Sequence, residues 1–277
     1  MKPTYLEYQF HDTENFISTF DEAPLWSAAF GLLLLKHLEF KPSITVADIG
    51  CGTGFPLLEL AGRLGYCSKL YGIDLWENAI NRARLKISNY GYKNVELINS
   101  SAENIPLPNQ TVDLIVSNLG INNFDNSELV YKECNRILKQ NGRIALTTNL
   151  NGHWNQFYTV FEKTLEELHL NKYILKIQDE QNHRSTQRGI NQQLESCGFK
   201  VIKTINETFE MRFADGTSFL NHHFVKLGWL TSWLKLFPEK EWELIFANLE
   251  KNLNDYASIH NGLNLFVPML YIEAEKL

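Results

Sequence analysis

The chain has 277 residues, of which 44% are apolar and 21% charged, and its formal net charge is −6. That is the balance of an ordinary globular protein, large enough to stabilise a core without disulfides or metal. Acidic and basic residues alternate along the chain and no Lys/Arg block supplies the surface that neutralises phosphates, so a small or neutral partner is expected and DNA or RNA is not.

In chain order, residues 1–40 read as helical and aromatic, with Phe16, Phe20, Trp26 and Phe30 recurring on one pattern. Ile44 to Ile49 is a short apolar run ending in glycines, a buried strand. Phe55 to Leu64 has helical spacing, Lys69 to Ile73 is the next strand, and Trp76 to Tyr90 is an amphipathic helix with Ala79, Ile80, Ala83 and Ile87 on one face. Val95 to Ile98, Val112 to Ser117 and Ile144 to Thr148 are further strands. Ser127 to Leu138 is a helix between the last two, and Asn141-Gly142 a turn into the last strand. Two helical patterns follow, Trp154 to His169 and Ser185 to Cys197. Lys200 to Phe213 and Leu263 to Ala274 look like strands, with a helical insertion from Ala214 to Asn261 between them, expected to pack over the ligand edge of the sheet.

Strand–helix alternation of this kind gives a parallel sheet flanked by helices, with ligands at the carboxyl ends of the strands where strand order reverses. Cys51, Cys67, Cys134 and Cys197 are scattered, without a C-x-x-C pair or a histidine at ligand spacing, so reduced thiols and no metal site are expected. No apolar run follows Met1-Lys2-Pro3-Thr4-Tyr5 as a signal peptide requires, and the greasy stretch from Gly31 to Leu35 is too short to cross a bilayer. A cytoplasmic protein with no membrane partner is the expectation.

The chemistry centres on Asp48-Ile49-Gly50-Cys51-Gly52-Thr53-Gly54. Glycines allow a sharp turn from strand to helix and a close approach of backbone to ligand, and the helix that follows directs free N–H groups at it. Asp48 stands where a carboxylate meets a positively charged amino group, and Asp74, at the end of the next strand, where an acid takes the two hydroxyls of a ribose. The Gly-x-Gly-x-Gly spacing differs from the Gly-x-Gly-x-x-Gly of dinucleotide sites, and an acid at the entrance would repel a pyrophosphate. Both features argue against a nicotinamide cofactor.

On these residues the chain resembles the class I methyltransferases that use S-adenosylmethionine (SAM), over at least residues 44–150. The glycine run matches the family's first motif and Gly72-Ile73-Asp74-Leu75 its second. Ser100 to Pro108 is similar to a Gly-Asp-Ala-Glu-x-Leu-Pro-Phe stretch, with Ser101 where the family usually has an acid, and Arg136 to Gly142 is similar to Arg-x-Leu-x-x-Gly-Gly. The resemblance implies a Rossmann-like three-layer α/β sandwich with a seven-stranded, mostly parallel sheet, the last strand antiparallel, and an added helical cap. It implies SAM as cofactor. Asp48, Gly50, Cys51, Gly52 and Gly54 would surround its amino-acid end and Asp74 the ribose. Leu75, Ser101 and Ala102 would meet the adenine, and Asn118 would lie beside the cofactor.

The acceptor is less legible. Where many small-molecule members carry His-His after the fourth strand, this chain has Asn122-Asn123. A base there is missing, so candidates elsewhere are His222 and His223 first, with His153, His183, Tyr5 and Tyr8 behind them, and Asn122 is kept as a further catalytic candidate. The segment from Phe20 to Trp26 could close over the cofactor or simply pack on the domain. The expected organisation is a lid segment over 1–40, a SAM-binding core over 41–150, and a completion of the core over 151–277 with the cap at about 214–261. Methyl transfer to an apolar or aromatic small molecule is the leading expectation. A protein or nucleic-acid methyltransferase, a nicotinamide-dependent oxidoreductase and a non-catalytic SAM-binding protein are the alternatives; the oligomeric state stays open.

Overall fold

The computed structural model describes residues 3–22 and 25–277, with side chains from 19 to 25 outside the description. Of the segment Phe20 to Trp26 named above, all but Trp26 therefore lies, at least in its side chains, outside the described residues. Seven strands form one sheet: β1 (Thr45–Ile49), β2 (Lys69–Asp74), β3 (Val95–Asn99), β4 (Val112–Asn118), β5 (Leu138–Asn149), β6 (Phe199–Phe213) and β7 (Leu263–Lys276). Their order is β3-β2-β1-β4-β5-β7-β6. The pairs from β3 through β5 are parallel and β7 runs antiparallel to β5. Order reverses between β1 and β4, so the crevice for a ligand opens at their carboxyl ends.

The helices are α1 (Glu14–Glu22), α2 (Leu25–His37), α3 (Leu57–Leu64), α4 (Glu77–Tyr90), α5 (Ser127–Ile137), α6 (Asn155–Glu167), α7 (Ile174–Asn182), α8 (Gln187–Ser196), α9 (Gly216–Asn221), α10 (His223–Val225), α11 (Thr231–Lys235) and α12 (Glu239–His260). Two compact units result. The larger holds residues 12–149, 186–207 and 269–277; the smaller holds 3–11, 150–185 and 208–268. Chain order therefore does not set the division: residues 3–11 belong with the helical unit, whereas α1 and α2 belong with the sheet.

In the sheet unit α2 packs on β4 and β5, α3 on β2, α4 on β2 and β3, and α1 on α4. The apolar stripe of α3 is fully used, with Leu57, Leu60 and Ala61 at 2% exposure or less. The helical unit has an aromatic core of its own. The Trp154 ring lies tilted against Trp229 with centroids 4.4 Å apart, the Phe157 and Trp233 centroids are 4.5 Å apart, and Trp233 donates its ring N–H to the Tyr158 hydroxyl.

Two elements differ from the sequence expectation. β5 starts at Leu138, not Ile144, and Asn141-Gly142 sits inside it. Val112 pairs with Leu138 but Leu114 with Arg143, so the surplus residues of β5 are thrown out of register, with Asn141 at φ 60°. α7 was not expected, because only Ile177 and Gln181 of its surface are buried, too thin a stripe to read. Among the described residues no helix is long and apolar enough to cross a membrane.

One contact fixes the ligand edge. The Ser117 hydroxyl donates to the Ile49 carbonyl at 2.6 Å, joining the ends of β4 and β1. Gly120 rests on that joint: a Cβ there would lie 2.4 Å from Ser117 Oγ and 2.7 Å from the Ile49 oxygen. Gly120→Ala is expected to destabilise the protein by about 1–3 kcal/mol, the cost of overpacking a filled site, measured as a shift of the urea midpoint at unchanged slope.

Candidate functional site

The loop after β1 is built on the end of β2. The Gly50 and Cys51 N–H groups both donate to the Ile73 carbonyl, at 2.8 and 3.1 Å. The next one along, Gly52 N–H, donates to Asp74 Oδ2 at 2.8 Å. Asp74 Oδ1 accepts from Trp76 N–H, also at 2.8 Å. Asp74 thus anchors the loop and the start of α4 together. Its carboxylate has about four lone-pair positions, so two remain for a diol. Gly52 has φ +52°, and a Cβ built on it would meet nothing within 4 Å, so the backbone faces open space here. That is a cradle into which a ligand fits and a side chain would intrude.

Asp48 lies behind the loop and is fully buried. Neither oxygen has a regular hydrogen bond among the described residues. Burial, and then the charge of Asp74, push its carboxyl up from 3.8 to about 8, opposed in part by the nearby Leu57 N–H. A buried acid without a cation is costly. A positively charged amino group arriving at the loop would relieve that cost. The Cys51 thiol is buried too, its ionisation pushed up by burial and both carboxylates, which leaves its backbone as the part the loop can offer.

Beyond β2, Leu75 is 71% exposed. Its main chain is clamped, since Asn99 Nδ2 donates to the carbonyls of Asp74 and Leu75 at 3.0 and 3.1 Å. A rigid backbone holding an apolar side chain in the open suits a flat heterocycle. Ser101 Oγ accepts from Glu103 N–H at 3.2 Å, leaving its own proton to donate, and Ala102 stands next to it, half-buried. The following loop is held by Arg136, whose guanidinium donates to the carbonyls of Leu107 (2.7 Å) and Ile105 (2.8 Å) while Glu133 accepts from Ile105 N–H. An unpaired buried carboxylate, an open glycine cradle, a two-fold acceptor and an exposed leucine together fit the amino-acid, sulfonium-bearing, ribose and adenine parts of SAM.

Asn118 is engaged inside the fold: its amide donates to the Ser27 carbonyl at 3.0 Å and accepts from Thr147 at 2.8 Å, tying α2 to β4 and β5. Asn122 accepts from the Thr148 hydroxyl and donates to Asn149 Oδ1 at 2.9 Å. Sequence reading gave no role to Asn149, Ser117 or Gly120, because nothing in the residue order says that the turn after β4 reaches back to β1 and β5.

The remaining base candidates lie in the helical unit. The Tyr5 hydroxyl sits 3.1 Å from both the Phe246 carbonyl and Glu250 Oε2, so its proton has a structural use. Tyr8 and His223 rings meet edge to face at 6.4 Å, and His222 packs on Phe213 at 5.3 Å. Burial, with His223 and Lys226 nearby, lowers the His222 pKa, favouring its neutral form. His183 is exposed and bonds the Glu180 carbonyl at the end of α7. His153 is wholly buried among Trp154, Tyr158, His183 and Trp229, and burial, with Arg184 and His183, holds it down to about 3. It is a neutral imidazole at any ordinary pH.

A family described as a methyltransferase domain matches residues 40–212. A demethylmenaquinone methyltransferase of Bacillus mycoides is 28% identical over 134 residues, 48% of this chain and 55% of the relative. The chain spans about half the length of the curated relatives it matches. Among solved structures, a Bacillus halodurans C-125 protein superposes with a TM-score of 0.59 at 19% identity, over 90% of this chain and 99% of that one. A SAM-dependent methyltransferase of Aquifex aeolicus gives 0.53 at 23% identity, over 71% and 93%. These structures share the fold.

Three outcomes follow from the carboxylates. Because folding raises the Asp48 pKa, its contribution to stability is full below about pH 4, is lost as pH rises to about 8, and is level beyond. Ligand-free wild type should therefore lose stability across that window relative to Asp48→Asn, measured by urea unfolding at each pH. If an ammonium pairs with Asp48, calorimetry in buffers of different ionisation heat should show SAM binding at pH 7 releasing up to about one proton. For Asp74→Ala, SAM affinity should fall on the order of 100-fold, as for two charge-assisted hydrogen bonds of about 1.5 kcal/mol each; unchanged affinity would remove Asp74 from the site.

Proposed function

The chain belongs to the methyltransferase domain family, with SAM as its cofactor, and from that premise we propose that it transfers a methyl group to a small-molecule acceptor, an aromatic ring bearing an ionisable oxygen. The observation that carries methyl transfer is the buried, unpaired Asp48 carboxylate behind an open glycine loop whose other side is fixed by Asp74. The ring chemistry is supported by the relatives named for demethylmenaquinone. It does not draw on the tryptophans at 154, 229 and 233, which are the core of the helical unit.

When bound, SAM supplies a methyl group on a positively charged sulfur, an electrophile that needs no further activation. What the protein adds is alignment. Asp48 and the 50–54 loop would hold the amino-acid end, Asp74 the ribose diol, Leu75 one face of the adenine, with Ser101 and Ala102 at its polar edge. Fixing the donor in this way converts a bimolecular encounter into a positioned one, which can supply several kcal/mol of acceleration. The turn after β4 offers carboxamides where a base could have stood, so the acceptor would arrive already ionised or as a carbon nucleophile beside an oxygen. The family and the glycine spacing speak against the nicotinamide alternative, and the net charge of −6 does not favour a nucleic-acid acceptor.

The test is transfer of radiolabelled methyl from SAM to a panel holding a short-chain demethylmenaquinol, a catechol, a primary amine, tRNA and a mixed protein fraction. Label is expected in the quinol or the catechol. Label confined to tRNA or protein would replace the acceptor class, and failure of SAM to bind would overturn methyl transfer itself.

A further inference from the structure

The end of β5 carries a polar group that SAM does not account for. Asn149 is its last residue and is 1% exposed, yet its Nδ2 finds no hydrogen-bond partner among the described residues. A buried donor without a partner is costly to the fold unless a ligand satisfies it. Its orientation is imposed: the Thr148 hydroxyl donates to Asn122 Oδ1, and Asn122 Nδ2 donates to Asn149 Oδ1 at 2.9 Å, which turns the Asn149 amino group away from the pair. Asn122 belongs to the 3-10 turn Gly120–Asn123, and that turn abuts the glycine loop, with the Gly120 Cα 3.1 Å from where a Cβ of Gly50 would be. β5 lies next to β4 in the parallel part of the sheet, so Asn149 ends at the ligand edge.

We infer that Asn149 is an acceptor-binding residue, its Nδ2 donating to a ring oxygen of the methyl acceptor, with Thr148 and Asn122 as the positioning residues that aim it. The inference rests on the small-molecule reading above and adds a requirement to it: the acceptor carries a hydrogen-bond-accepting oxygen, carbonyl or phenolate, near the carbon or oxygen that is methylated. Sites built to bond a substrate oxygen discriminate strongly against analogues lacking it, because the buried group is then left unpaired. An apolar substitution at 149 would erase that discrimination, and an acidic one would invert it.

The experiment uses the full chain, with SAM and a short-chain demethylmenaquinol as probe. Asn149→Asp, nearly isosteric but without the donor, should raise the KM for the quinol about tenfold or more and leave SAM affinity within about twofold of wild type, which also shows that the variant is folded. Thr148→Val, which removes the hydroxyl that bonds Asn122 Oδ1, should move KM in the same direction by less. An unchanged or lowered KM in Asn149→Asp with normal SAM binding overturns the proposal, and so does parallel loss of SAM affinity, the sign of a purely structural residue. If the wild-type protein transfers methyl to neither the quinol nor the catechol, the ring-acceptor reading falls first and this proposal falls with it; if only the catechol is methylated, the same KM comparison is made with it.

Discussion

The register between β1 and β2 is the constraint on which the ligand edge depends. Asp48 pairs with Gly72 and Ile49 with Ile73, so the chain leaves β1 just where the carbonyl of Ile73 can receive two loop N–H groups and Asp74 a third. A slip of one residue would turn every side chain of β1 to the opposite face. Asp48 would change sides and the loop would lose its anchor. The buried carboxylate, the open backbone at Gly52 and the exposed Leu75 are thus consequences of one strand pairing.

The second support comes from the other flank of β1. Ser117 and Gly120 press the turn after β4 onto Ile49 and Gly50, and the same turn carries Asn122 toward Thr148 and Asn149. The glycine loop and the carboxamide cluster are therefore held by a continuous set of hydrogen bonds and close contacts within the sheet unit. The carboxamides cannot ionise, which leaves hydrogen bonding and orientation as what this corner can contribute.

Much of the sheet was legible because its signals are local. Short apolar runs, the glycine spacing and the acids at 48 and 74 each lie within a few residues of what they report. The seven strands in mostly parallel order follow from them with the family resemblance. Long-range pairings were not legible. Asn118 stands at the end of β4, and nothing in the residue order announces that its amide also bonds Ser27 and Thr147. Asn149 looks unremarkable until Asn122 is seen beside it. The start of β5 is hidden in the sequence because Asn-Gly signals a turn, and an irregularity inside a strand uses the same left-handed backbone. The helical unit was the hardest to read, since its aromatic residues serve its own core and leave no periodic stripe in α7.

The cradle also bears on how a catalytic cycle would end. In the proposed reading Asp48, Asp74, Leu75 and Ser101 would grip an amino acid, a ribose and an adenine, the three parts of the cofactor that methyl transfer leaves unchanged. Groups that hold donor and demethylated by-product alike contribute equally to both states. Spent cofactor would then compete with fresh donor for the same seat, and only contacts that sense the lost positive charge on sulfur could tell them apart. Turnover in such a site depends on how fast the by-product is removed from solution.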